Sequence, residues 1–163
     1  MKKLVATLFV VLLVFSLSLS AQADSGLAAL EGKLSAFMAS SGERHPMALA
    51  SETPTTYGVV IGYFTVVSGQ WWTGLAVTNN SGSSNVIKVG CFDTSGNAVG
   101  GGSITLGANA MQVDQIAAFI KTGSVPQKGA IAVFGTAPFI VDRFLGNVTG
   151  GGIGEVQLES KVY

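Results

Sequence analysis

The chain has 163 residues, with nine basic and nine acidic side chains, one histidine and one cysteine. A formal net charge of zero offers no basic face for nucleic acid, and a lone cysteine excludes an internal disulfide. Only 11% of residues are charged while glycine alone supplies 22 positions, which favours a β-rich extracellular domain over a helical one.

Residues 1–23 read as a secretory signal peptide. Lys2 and Lys3 precede an uncharged apolar run from Leu4 to about Leu19, and Ala21-Gln22-Ala23 supplies the small residues of a cleavage site. At roughly 16 residues the run falls short of the ~20 needed to cross a bilayer. No later stretch is long enough to do so, so no membrane span is expected after cleavage. Removing Lys2 and Lys3 leaves seven basic against nine acidic residues, a net charge of −2. Little repulsion then opposes self-association. The expected localisation is secreted: periplasmic, cell-surface or extracellular.

Residues 24–56 form a helix and a linker. Leu27, Leu30, Leu34, Phe37 and Met38 recur at steps of three and four and make one apolar stripe on a helix over 25–40. Asp24 and Ser25 can cap its start and Gly42 can end it. Glu31, Lys33 and Ser35 occupy the other side. The stripe must be buried, either on the chain's own β domain or against a second copy, which makes it a candidate assembly helix. The linker, residues 41–56, carries Pro46, Pro54 and the only histidine, His45.

Residues 57–163 change to short strands and turns. Tyr57–Val67 is apolar on both faces, with Val59, Ile61 and Tyr63 on one and Val60, Phe64 and Val66 on the other, so both need cover. Trp71–Thr78 and Val86–Phe92 follow. Asp93–Asn97 turns the chain into Ala98–Leu106, where Gly100-Gly101-Gly102 marks a bulge or an edge. A short strand near Ala110–Val113 leads to a helical turn through Ile116, Phe119 and Ile120. Strands near Ala130–Phe134 and Phe139–Leu145 flank a tight turn, and Val156 and Leu158 mark a last strand. Seven or eight short strands without βαβ alternation predict an all-β fold, an antiparallel β-sandwich with a short N-terminal amphipathic helix.

Trp72-Thr73-Gly74-Leu75-Ala76-Val77-Thr78-Asn79 resembles β-sandwich modules of bacterial secreted and cell-surface proteins, which share a W-x-G-[IL]-A-x-x-N strand. Cys91-Phe92-Asp93 with Gly96, the apolar turn at Ile116–Ile120 and the strand Gly129–Phe134 extend the likeness over about Tyr63–Gly146. The resemblance implies a sandwich, no assigned activity, and a role beside other domains. This chain departs from that pattern by carrying a single copy with its own helix.

The residues that carry chemistry are few. One histidine and one cysteine are too few for a zinc site, and a catalytic triad would have to draw His45 from the linker. Asp93, Asp114, Asp142, Glu155 and Glu159 are the carboxylates a secreted hydrolase would use in pairs, but Asp93 is explained by its turn. Cys91 shares a strand face with Ile87 and Val89 and reads as a buried thiol. No catalytic residue, cofactor or metal is expected. The Trp pair remains. Trp71 shares its face with Leu75 and Val77 and is expected in the core. Trp72 shares its face with Gly74, Ala76 and Thr78, small residues that would leave its ring as a platform for a sugar or a protein partner. The sequence therefore supports a non-enzymatic structural or interaction protein able to self-associate, with a small carbohydrate-binding module as the alternative and a secreted hydrolase as the second.

Overall fold

The computed structural model describes residues 26–41, 57–159 and 161–162. The expected signal segment and cleavage site, the expected capping residues Asp24, Ser25 and Gly42, and His45 all lie outside these. Helix α1 spans residues 26–40. Nine more elements of some length follow: β1 (Tyr57–Thr65), β2 (Trp71–Asn79), β3 (Asn85–Phe92), β4 (Ala98–Leu106), β5 (Met111–Gln115), α2 (Ile116–Phe119), β7 (Lys128–Gly135), β8 (Phe139–Asn147) and β9 (Ile153–Glu159). Two-residue strands β6 (Thr122–Gly123) and β10 (Lys161–Val162) complete the order. Pairing is antiparallel throughout, in a six-stranded sheet ordered β10-β1-β7-β3-β4-β6 and a four-stranded sheet ordered β5-β2-β8-β9. The chain is an all-β sandwich with a helix laid on one side.

Alternation along the strands makes the core. Val59, Ile61 and Phe64 of β1, Ile87, Val89 and Cys91 of β3 and Ile131 and Val133 of β7 point inwards from the large sheet. Leu75 and Val77 of β2 and Phe139 and Val141 of β8 meet them from the small one, and Ile116 and Phe119 of α2 join the cluster. Side chains from two inner faces interdigitate as in other sandwiches.

One expected face is corrected. The pairing of β1 with β7 slips between Ile61 and Phe64, where a β-bulge intervenes. The extra residue reverses the alternation. Phe64 therefore joins Val59 and Ile61 in the core instead of lying beside Val60, and Tyr63 is left exposed. A second bulge lies between Cys91 and Phe92, opposite Gly100 and Ala98, close to the glycine run that pointed to one.

Helix α1 supplies a third layer. Leu34 and Met38 are buried in a cluster with Phe92, Ala132 and Phe134, and Leu27, Leu30 and Phe37 pack around them. The outward positions beneath are small. Ala132, Gly90 and Gly101 lie directly opposite one another across β7, β3 and β4. A Cβ at Gly90 would stand 2.7 Å from Leu34 Cδ1, and one at Gly101 only 2.8 Å from the same atom and 2.9 Å from Met38 Cγ. The absence of side chains there lets the helix approach closely. Glu31 and Lys33, expected on the free side, border this seat. Glu31 pairs with Lys88 of β3 at 3.4 Å, and Lys33 Nζ donates to the Gly96 carbonyl at 2.9 Å. Of the two arrangements left open by the sequence, the described one seats the stripe on the chain's own sheet.

Candidate interaction surface

The outer face of the four-stranded sheet has no such layer among the described residues. Strand parity places Trp72, Gly74, Ala76 and Thr78 of β2 on it. Directly opposite them on β8 lie Gly146, Phe144, Asp142 and Ile140. Val113 and Met111 of β5 lie opposite Ala76 and Thr78 on the other side. Ile153 of β9 lies opposite Gly146. Met111 keeps 60% of its surface exposed, Val113 57% and Ile153 68%, while Trp72, Phe144 and Ile140 are half-buried. Neighbouring large apolar side chains on one open sheet face mark an interaction site more strongly than scattered ones do.

Trp72 is built into this face by two glycines. A Cβ on Gly146 would collide with the Cε2, Nε1 and Cζ2 atoms of the indole, and one on Gly74 would stand 3.0 Å from Cζ3. The ring thus lies across β2 and β8 on the sheet surface, and its partial burial comes from the strands beneath it. Trp71 corrects the expectation of a core anchor. Its parity is inward, but it stands at the hairpin bridged to Val67, where the chain passes between sheets, and stays 40% exposed. Thr73 takes the inner position instead. It is fully buried, and its hydroxyl donates to the Thr65 carbonyl at 2.7 Å while accepting from the Thr65 amide at 3.2 Å.

Two buried asparagines hold the loops at the end of the sheet. The Asn79 amide donates to Ser83 and Gly107 carbonyls, each at 2.7 Å, and its Oδ1 accepts from Ser81. Asn85 Oδ1 accepts from the amides of Thr136 and Ala137, and its Nδ2 donates to the Ala137 carbonyl. Sequence reading missed both roles. Their signal was an asparagine at each end of a polar loop between apolar strands, where a short amide side chain can replace backbone partners.

The carboxylates are dispersed. Asp93 accepts from the amides of Ser95 and Asn97, and the Asn97 amide is the main reason its carboxyl is held below the ordinary value. Asp114 lies on the exposed edge strand β5, and Asp142 lies on the outer face of β8. Among the described residues no three metal-ligating side chains gather. Asp142 Oδ1 is buried without a hydrogen-bond partner, a costly arrangement unless another group supplies a donor. Cys91 is fully buried on the inner face as expected, and burial pushes its thiol up to about 12. Phe144, Ile140, Met111, Val113 and Ile153 were not singled out from sequence. Phe139–Asn147 held the signal, since Ile140 and Phe144 alternate with the inward Phe139 and Val141, and a strand apolar on both sides calls for cover on both.

No family model and no curated protein matches the chain. Among solved structures, Thermotoga maritima 1070 matches with a TM-score of 0.52 at 8% identity, over 68% of this chain and 97% of that one. The Anabaena sensory rhodopsin transducer matches with a TM-score of 0.45 at 11% identity, over 56% of this chain and 83% of its own. The first likeness concerns the fold alone.

Proposed function

We propose that the chain is an exported, non-enzymatic interaction protein that associates through the outer face of its four-stranded sheet. The observation that supports this reading is the asymmetry of cover. The helix occupies the outer face of the large sheet, while Trp72, Phe144, Ile140, Met111, Val113 and Ile153 leave the other face apolar and open. Export rests on the leader at residues 1–23, and N-terminal sequencing of secreted material should begin at Asp24. A low net charge leaves association nearly unopposed. Light scattering of the secreted chain across a concentration series tests the surface. Association should occur in wild type and be lost in Phe144→Lys, with melting nearly unchanged. Association that survives Phe144→Lys contradicts this use of the face.

The seat of Trp72 supports a second reading, a carbohydrate platform. An indole laid flat across Gly146 and Gly74 on an open sheet face offers a stacking platform to a sugar ring. Retardation in polysaccharide-containing gels that disappears in Trp72→Ala would favour this reading.

A further inference from the structure

We propose that the bulge in β1 opens a cleft on the large sheet that takes a neutral sugar residue, with Tyr63 as its stacking ring and Asp93, Thr94 and Lys128 as its hydrogen-bonding rim. The site is separate from the open face of the small sheet and does not rest on association through it.

Its position follows from the strand register. Ile61 lies opposite Ile131 and Phe64 opposite Gly129, so Gly62 and Tyr63 together face the single residue Ala130. A bulge of this kind re-aims a side chain, and bulges gather beside functional sites for that reason. Here Phe64 turns inwards and Tyr63 keeps 52% of its surface exposed. The bend is held from the opposite sheet, where Arg143 of β8 donates through Nη1 to the Tyr63 carbonyl. Beside it the Gln127 carbonyl accepts from the Val66 amide at 2.8 Å and from the Thr65 hydroxyl at 3.2 Å. Those bonds tie the start of β7, and Lys128 with it, to the end of β1. The turn at Asp93 and Thr94 supplies the remaining wall. The result is a cleft of about 360 Å³ lined by these four side chains and by Gly62 and Gly129 among others, a volume within the range of small-ligand sites. The glycines keep it open. A Cβ at Gly62 would meet nothing within 4 Å, whereas at Gly129 the Phe92 carbonyl approaches too closely for any side chain.

The chemistry of the lining selects the occupant. Tyr63 offers an apolar ring face. Asp93 Oδ1 already accepts from the Ser95 and Asn97 amides, but Oδ2 has only the Asn97 side-chain amide at 3.2 Å and keeps capacity for a further donor. Lys128 only donates, and the Thr94 hydroxyl does both. An anion in this cleft would face the Asp93 carboxylate, and a cation the Lys128 ammonium. A sugar carries no charge. Its C–H face suits Tyr63, and its hydroxyls donate to the carboxylate and accept from the ammonium. Cleavage of a glycosidic bond uses two carboxylates, and among the described residues Asp93 alone lines the cleft, so the proposal is one of binding without hydrolysis.

Calorimetric titration of the purified chain with neutral tetrasaccharides of glucose, xylose, mannose and N-acetylglucosamine tests the site. At least one should bind saturably. Gly62→Leu should abolish that binding with melting unchanged, because the new side chain fills the cleft from a position that touches nothing else. Tyr63→Ala should weaken it by roughly tenfold, as the loss of a ring contact does, and Trp72→Ala should leave it intact. Binding that survives Gly62→Leu and disappears in Trp72→Ala would overturn the proposal and move the sugar to the small sheet. Absence of saturable binding by all four sugars would overturn it as well. So would tighter binding of free glutamate, lysine or phenylalanine than of any sugar, since the cleft would then be recognising charge. Light scattering of Gly62→Leu should match wild type, which keeps this result distinct from the fate of the open-face reading.

Discussion

The two outer faces of this sandwich are built from the same alternation and end in opposite states. On the large sheet, Ala132, Gly90 and Gly101 form a row without bulk, and α1 fills it with Leu34 and Met38. On the small sheet the glycines sit under Trp72 instead. One side chain of the same sheet occupies that hollow, and nothing further among the described residues covers it. A glycine-rich outer face can therefore receive a whole element or hold one ring flat. The difference lies in how many strands the small residues cross.

The largest effect expected from breaking this comparison is on the covered face. Leu34→Asp removes a fully buried side chain and places a carboxylate over Gly90 and Gly101. It should destabilise the fold by about 4 kcal/mol or more, by lost burial and an unpaired buried charge, as urea unfolding would measure. A loss below ~1 kcal/mol would mean that the helix adds little to the sandwich. On the open face, Asp142→Ala should cost nothing and could raise stability by up to about 1 kcal/mol, because it removes a carboxylate oxygen buried without a partner. A clear destabilisation would indicate an internal partner for Asp142.

The smallest effect lies at the β3–β4 turn, outside both faces. The carboxyl of Asp93 is held below its ordinary value by amides of the turn, chiefly Asn97. A lowered folded value stabilises above the unfolded value and is lost as pH falls through the folded one. Asp93→Asn should therefore melt slightly lower than wild type at neutral pH, and the gap should close below about pH 3.8. A gap independent of pH would remove the charge from the explanation.

Much of this fold was legible in the chain. Period-two runs located β1 to β4, β7 and β8 to within a few residues, because buried strands between glycine-rich turns have few alternative readings. The stripe Leu27, Leu30, Leu34, Phe37 and Met38 announced α1. Other features depend on pairing, which a single strand does not reveal. Phe64 changes face because β1 gains a residue relative to β7. Trp71 has inward parity yet leaves the core because the chain crosses between sheets there. β6 and β10 are too short to carry a period. Trp72 was identified, but its companions Phe144 and Val113 needed the strand order β5-β2-β8 to become neighbours.

Two methionines carry the comparison within one sample. Met38 lies beneath α1 at 1% exposure, and Met111 stands on the open face at 60%. Peroxide oxidation of the purified chain, followed by peptide mass, reports both at once, since sulfoxide formation depends on access. The account predicts slow oxidation of Met38 at every protein concentration. Met111 should oxidise fast in dilute protein and progressively more slowly as concentration rises and copies associate. Equal rates at the two positions, or a Met111 rate indifferent to concentration, would contradict it.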